Sequence, residues 1–541
     1  MQPSESISRR VEKVLAGVGD ASSKAVFHYW TKKSTEVAAA IISEFLPTGG
    51  ILLDPFLGSG STLLGFKESR VSGTMVGIDV NQLPIAISDL QVDDSIHSRL
   101  STARSKIEEF SEAHYPYRAI DAASGTELRF SSAVLDLESG APEVVSIRFG
   151  SARNQVVEIT PSTPSFARVR ETYLETWRQN CGPFARDREL ITNSRLAAKE
   201  GTSVSSLFSP MSYRFLLEFS DRFRDDPDVL LVLASCLHHC KFTDKGMQSQ
   251  FPFWYPKRGA IDRSVTSAIM RKSNELVKSV AQEQILRTPL SKATRLTDEI
   301  ASQEPRFLLI EGGVQDVTNL DIPDSVVDLV VTDPPYFDQV AYSEYLSLWE
   351  FFVGLRANLE KEIVETNRKQ DTRSRERYLA DMKLAFANIR RMLKDDGLMF
   401  VYFKDSKPHN VADFVRVMRS TGFSYLAQKH LAGSRRTYKQ NSSPESTVAG
   451  DCLMIFAAAQ EVQTEQQDEL NDEVVVPATE IRAKVHRYLR ENGAASLGEL
   501  YDNVLIPELI RGGCLQKFLS QKDIFALLEG VKRGDDLRYE A

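Results

Sequence analysis

Two short runs of residues carry chemistry by their types and spacing. The first is Leu53-Asp54-Pro55-Phe56-Leu57-Gly58-Ser59-Gly60-Ser61-Thr62, which follows a short apolar stretch and precedes a helical pattern. Gly58 and Gly60 lack a Cβ, so the turn can be tight and its backbone can come close to a ligand. Asp54 at the strand end suits the cationic amino-acid end of a cofactor. Asp79 ends the next strand in Gly77-Ile78-Asp79-Val80-Asn81, 25 residues after Asp54, where a carboxylate can accept both hydroxyls of a ribose. A plain strand-to-helix turn accounts for a lone Gly-x-Gly. It does not account for Asp54-Pro55-Phe56 and Asp79 as well. The second run is Val331-Thr332-Asp333-Pro334-Pro335-Tyr336, again after an apolar strand. An ordinary proline turn is the bland reading of it, and the pairing with the first run argues against that reading. Two consecutive prolines stiffen the backbone there.

These runs need elements to hold them. Val37 to Phe45 has a helical apolar pattern, and Ile51-Leu52-Leu53 and Thr74 to Ile78 read as buried strands. The style repeats later. Phe307 to Ile310, Val327 to Val331 and Leu398 to Phe403 read as strands, and a helix is expected from about Arg375 to Leu393. Strands alternating with helices predict an α/β fold with a mostly parallel, Rossmann-like sheet covered on both faces. Between the halves lie some two hundred residues, too many for a loop. They include a helical block, Tyr213 to Phe242, so a large, mainly helical insert is expected. Glu461 to Glu473 is acidic and Gln-rich, as linkers are. Beyond it, Ile481, Val485, Tyr488 and Leu489 share a helical face, Ser496 and Glu499 form a capping-box signal, and Ile524 to Leu528 suggests a third helix. A small helical or winged-helix domain is expected there.

With the motifs and their elements in place, a family resemblance can be stated. Asp54-Pro55-Phe56-Leu57-Gly58-Ser59-Gly60 resembles motif I of the amino-methyltransferases that modify adenine N6 or cytosine N4 in DNA. Asp333-Pro334-Pro335-Tyr336 resembles their motif IV. Phe27-His28-Tyr29-Trp30-Thr31-Lys32-Lys33 resembles their motif X, with Lys33-Ser34 where the family has Lys-Pro. The order X, I, insert, IV is similar to the group whose target-recognition region separates motifs I and IV. The resemblance covers Phe27 to Leu90 and Phe307 to Ala457. It implies a methyltransferase sheet whose fifth strand is Gly397 to Asp405 and whose final antiparallel pair is Phe423 to Ala457. The implied division is 1–92 (motifs X, I and II), 93–303 (inserted target recognition), 304–460 (motif IV onward), 461–476 (linker) and 477–541 (small domain).

The resemblance further implies S-adenosyl-L-methionine as cofactor, held by Lys32, Asp54, Pro55, Phe56, Gly58, Ser59, Gly60, Thr62, Asp79 and Asp316. A solvated loop acid explains Asp316 nearly as well. Double-stranded DNA is the implied substrate, with Asp333, Pro334, Pro335 and Tyr336 as the catalytic set. An exocyclic amine conjugated with its ring is a poor nucleophile. The Asp333 carboxylate and the Pro334 carbonyl would hold its two hydrogens and free its lone pair, so positioning and electrostatics carry the reaction. The base must first leave the duplex, and Tyr336 would stack on it. No metal is required, and no Pro-Cys dipeptide of the cytosine-C5 enzymes is present. Asp at the head of motif IV favours adenine N6. Cytosine N4, an RNA guanine-N2 methyltransferase and a non-catalytic DNA-binding subunit are the alternatives. Restriction-modification or phage defence, with a nuclease or another defence subunit as partner, is the expected setting.

Composition limits the rest. The 541 residues exceed one ordinary core. At 42% hydrophobic and 26% charged residues, the chain reads as globular. No run has the length of a membrane span, and a polar start suggests a cytoplasmic protein. Five scattered cysteines suit a reducing compartment. The net charge of -8 leaves phosphate contacts to local clusters. Trp254, Tyr255, Lys257 and Arg258, in an aromatic and cationic run, are candidates for stacking and phosphate contact, as are Arg435 and Arg436. A packed aromatic loop and a solvated basic loop explain them equally well. Cys236-Leu237-His238-His239-Cys240 reads as a core helix rather than a zinc site, since no second ligand pair appears. Arg368 to Arg377 reads as an exposed face or a mobile loop.

Overall fold

The computed structural model describes residues 3–16, 18, 24–27, 29, 32–114, 118–120, 127–137, 142–150, 156–193, 198–244, 259–283, 289–296, 304–316, 320–337, 342–368, 372–432, 448, 450–459, 476–534 and 538–540. Strands β1 (Gly50–Asp54) and β2 (Gly73–Asp79) come first. The insert contributes β3 (Arg118–Ile120), β4 (Glu127–Asp136), β5 (Glu143–Gly150), β6 (Val156–Ile159), β7 (Thr243–Asp244) and β8 (Gly259–Arg263). There follow β9 (Ser291–Lys292), β10 (Arg306–Glu311), β11 (Val327–Thr332), a small pair β12 (Thr366–Asn367) and β13 (Thr372–Arg373), then β14 (Leu393–Tyr402), β15 (Phe423–Leu431) and β16 (Asp451–Ala458).

Eight strands form the main sheet in the order β15-β16-β14-β11-β1-β2-β10-β9. From β9 to β14 neighbours are parallel, and β16 runs antiparallel to both β14 and β15. Strand β1 is buried along its whole length, which is why Ile51-Leu52-Leu53 is uninterrupted apolar sequence. Alternation then divides the side chains between two cores. Leu52, Met75, Leu329 and Phe400 face one core, and Leu53, Val76, Val330 and Met399 face the other. Burying such a side chain contributes roughly 1.5–3 kcal/mol.

The order of the sheet places a ligand site. The chain leaves β1 through helix Ser61–Ser69 to reach β2 on one side, while β11 pairs with β1 on the other (Leu52 with Leu329, Leu53 with Val330). The connections diverge between β1 and β11, which opens a crevice outside their carboxyl ends. Both chemical runs begin there.

In the insert, helices Ile96–Ala113, Pro210–Arg222, Pro227–Cys240 and Val265–Gln282 share the first core with the sheet. The expected helical block Tyr213 to Phe242 is two helices, because Asp226-Pro227 starts a new one with Asp226 capping Val229. The insert is not helical throughout. It also holds the antiparallel sheet β6-β5-β4-β8-β7, with β3 on β4. That sheet has its own core of Phe130, Ile147, Phe149 and Tyr173. Its strands have one wet face, and the alternation in Glu143–Gly150 reflects this. At the far end, helix Ala478–Asn492, the turns over Leu497–Arg511 and helix Gln521–Phe525 pack into the second core. Ser496 and Glu499 complete a capping box. Bridges from Tyr539 to Ala495 and Arg533 close the unit. No helix among the described residues is long and apolar enough to cross a membrane.

Candidate active site

Asp54 ends β1 at 2% exposure. Its Oδ1 accepts hydrogen bonds from the Thr332 hydroxyl (2.7 Å) and the Phe56 N–H (3.2 Å). Burial pushes its carboxyl up to about 6, against the pull of those donors. The turn that follows needs its glycines. Gly58 and Gly60 have φ of +50° and +73°, the left-handed region where a side chain is strained. A Cβ on Gly60 would also lie 2.5 Å from the Ser88 hydroxyl oxygen. The Gly58 N–H donates to one Asp79 oxygen (3.0 Å) and the Asn81 N–H to the other (2.9 Å). Burial nevertheless pushes Asp79 up to about 7, with Asp54 and Glu362 adding to the rise. Buried Gln91 joins the upstream segment to the turn, accepting from the Val26 N–H (3.0 Å) and donating to the Ser59 carbonyl (3.1 Å).

Asp333 lies just beyond β11. The Tyr378 hydroxyl donates to the Pro335 carbonyl (2.7 Å) and anchors the proline turn. The Tyr336 hydroxyl lies in hydrogen-bond reach of the Asp333 carboxylate and of the Tyr402 carbonyl (2.6 Å), and it can donate to one at a time. The Tyr336 ring meets Phe403 edge-on at 5.2 Å, so in this state it is tied inward. Stacking on a base would require that hydroxyl to let go. The Lys33 ammonium sits 3.5 Å from Asp333 Oδ2 and 3.5 Å from Asp451 Oδ1. Burial pushes Asp333 up to about 6, with Lys33 and then Tyr336 opposing the rise and Asp451 and Asp54 adding to it.

These groups share one cleft of about 860 Å³, open solvent included. Its walls bring together Asp54, Asp79, Asp333, Glu362, Lys33 and Tyr402. Three carboxylates held out of their usual range by burial fit a ligand that is cationic and offers hydroxyl donors. S-adenosylmethionine, with a sulfonium, an ammonium and a ribose diol, has that chemistry. The residues present therefore fit the cofactor that the sequence resemblance implies.

Pro55, Phe56, Gly58, Ser59, Thr62 and Pro335 also line the cleft, whereas Gly60, Pro334 and Tyr336 are not among its lining residues. Lys32 turns away. Its ammonium donates to the Ala25 carbonyl (2.8 Å), and burial pushes it down to about 8. Lys33 occupies the cleft instead. Asp316 pairs with Lys361 (2.7 Å), and Lys361 is the residue on the wall. Trp254, Tyr255, Lys257, Arg258, Arg435 and Arg436 lie outside the described residues. Among the described residues no cluster of possible metal ligands occurs.

The reading of Arg368 to Arg377 as an exposed face holds for Thr372, Ser374, Glu376 and Arg377 and is corrected at two arginines. Arg368 is buried between Glu344 (2.6 Å) and Glu362 (2.9 Å), and Arg373 is buried against the carbonyls of Leu359 (2.5 Å) and Glu362. Sequence reasoning also missed Thr332, Glu362, Tyr402 and Asp451. Thr332 stood beside the motif and could have been noticed, but Glu362 reaches the cleft, and Asp451 reaches Lys33, only through tertiary folding.

Comparisons with known proteins bear on this geometry. The family profile described as DNA methylase, covering the N6 and N4 enzymes, matches residues 327–491. That segment starts at β11, includes Asp333 and ends within helix Ala478–Asn492. No curated protein matches the chain. Among solved structures, the antibiotic-resistance methyltransferase Kmr is similar at 11% identity over 35% of this chain and 72% of its own, with a TM-score of 0.17. A protein assigned as a DNA modification methylase from Thermus thermophilus is similar at 14% identity over 40% and 94%, with a TM-score of 0.15. The CMeT domain of the citrinin polyketide synthase is similar at 11% identity over 70% and 94%, with a TM-score of 0.16. Scores this low carry no argument, and the weight rests on the matched segment. Residues 327–491 match the profile of the N6/N4 DNA methylases, and the cofactor that this match implies is S-adenosyl-L-methionine.

Proposed function

We propose that the protein methylates the exocyclic N6 of an adenine flipped out of double-stranded DNA. One observation carries the reading. The buried Thr332 hydroxyl bonds to Asp54 Oδ1 at 2.7 Å, which joins the glycine turn to the Asp-Pro-Pro-Tyr turn beside one cleft. When bound, S-adenosylmethionine supplies an electrophilic methyl group on a sulfonium. Asp79 would hold its ribose hydroxyls and Asp54 its amino-acid end.

The chain's own work is to prepare the amine. Asp333 and the Pro334 carbonyl accept its two hydrogens, so its lone pair is no longer shared with the ring. Among the described residues the Pro334 carbonyl makes no hydrogen bond, whereas that of Pro335 is occupied by Tyr378. As the N–methyl bond forms, the nitrogen loses a proton, and Asp333 is placed to take it. The Asp at the head of the motif supports adenine over cytosine. Methyl transfer to unmethylated DNA, followed by mass spectrometry of the nucleosides, tests the base: N6-methyladenine is expected, and N4-methylcytosine would refute the adenine assignment.

A further inference from the structure

In the described structure both oxygens of Asp333 already have a neighbour. Oδ1 faces the Tyr336 hydroxyl, and Oδ2 faces the Lys33 ammonium at 3.5 Å. Lys33 is 11% exposed, and its ammonium also stands 5.6 Å from the ring centre of Tyr336 and 5.7 Å from that of Tyr402. Both distances are within reach of a cation–π attraction. An ammonium so enclosed needs carboxylates, and it has two at equal distance, Asp333 and Asp451. Asp451 is half-exposed, with 48% of its side chain open to solvent. The lysine therefore has a place to go when an amine arrives at Asp333.

We infer that Lys33 is a positioning residue shared between Asp333 and Asp451: it keeps Asp333 ionised while the site waits, and it retires to Asp451 when the target amine takes Asp333. This inference rests on the reading of Asp333 as the group that receives the amine. A carboxylate must be ionised to accept both a hydrogen bond and a proton. The groups facing Asp333 are Asp54 from the end of β1, Lys33 from the segment before helix Thr35–Phe45, Tyr336 on its own turn, Tyr402 from the end of β14 and Asp451 from the start of β16. Tyr342, from helix Tyr342–Val353, acts electrostatically on Tyr336. Lys33 is the one cation in that set. Burial alone would push Lys33 down, but Asp333 and Asp451 hold it above its ordinary value. Each of the pair thus keeps the other charged.

The test follows protonation of Asp333 directly, by pH-difference infrared spectroscopy of the cofactor-free full chain. The carboxyl band that disappears in Asp333→Asn identifies the group. Lys33→Met should raise its midpoint by about one pH unit or more, Lys33→Arg should restore it, and Asp451→Asn should lower it. Single-turnover methyl transfer to DNA is measured in parallel. The acidic limb of the rate should move up with the midpoint in Lys33→Met. Asp451→Asn should raise the KM for DNA several-fold, because Lys33 then has only Asp333. A midpoint and acidic limb unmoved in Lys33→Met, or a KM unmoved in Asp451→Asn, overturns the inference. Transfer that survives Asp333→Asn, while Lys33→Met still moves the midpoint, would instead sink the catalytic reading and leave the coupling standing.

Discussion

At the scale of single residues, the site is a set of carboxylates kept from water until a ligand arrives. Asp79, pushed up to about 7 by burial, makes a pH prediction. Ribose hydroxyls donate to the ionised form. Cofactor affinity should therefore be full above about pH 7 and fall as the pH drops, approaching tenfold per unit below the midpoint. Calorimetry from about pH 5.5 to 8 checks this, and Asp79→Asn should bind at least about tenfold more weakly and lose the upper part of that limb. Gly60→Ala should cost about 1–3 kcal/mol of stability, since it forces a left-handed alanine and also crowds Ser88. Thermal unfolding reads that out, and an unchanged melting temperature would contradict the conformation described for the turn. Asp54, Asp79 and Asp333 were legible in the sequence because a lone acid ending an apolar run stands out. The direction of a side chain is not visible in one dimension. That is why Lys32 was expected in the cleft, which Lys33 occupies.

At the scale of elements, the central strands of the main sheet were legible because each carries a short apolar run, as Ile51-Leu52-Leu53 does in β1. The insert's sheet was not, since its short strands alternate with exposed polar residues, as in Glu143–Gly150. The buried Arg368 was missed for a related reason. Its neighbours in sequence are charged and look solvated, while one partner, Glu344, lies on helix Tyr342–Val353. Two buried glutamates around one arginine tolerate loss of the cation badly. Arg368→Met should destabilise the chain by about 3–5 kcal/mol, read from urea unfolding. Adding Glu344→Gln and Glu362→Gln should recover much of that loss. A single variant as stable as the parent would mean the cluster contributes nothing.

At the scale of the whole molecule, the chain after residue 476 shares a core with the sheet. Val485, Leu489, Leu505 and Ile510 belong to the same apolar cluster as Phe414, Met418 and Phe423. The Gln428 amide donates to the Asp502 carbonyl (2.7 Å), and the Lys404 ammonium sits 3.0 Å from the Asp502 carboxylate. Truncation after 476 should therefore expose a large apolar patch and give an aggregating or markedly less stable chain. A soluble fragment with an unchanged melting temperature would refute this. The central claim is that the glycine turn and the Asp333 turn form one methyl-transfer site acting on DNA. The most direct measurement is transfer of labelled methyl from S-adenosylmethionine to unmethylated DNA and to bulk RNA, by wild type and by Asp333→Ala, with cofactor binding measured on both proteins. Label in DNA with wild type, none with the variant, and cofactor binding retained by both are the predicted results. Label in RNA alone, or equal transfer by the variant, would contradict the claim.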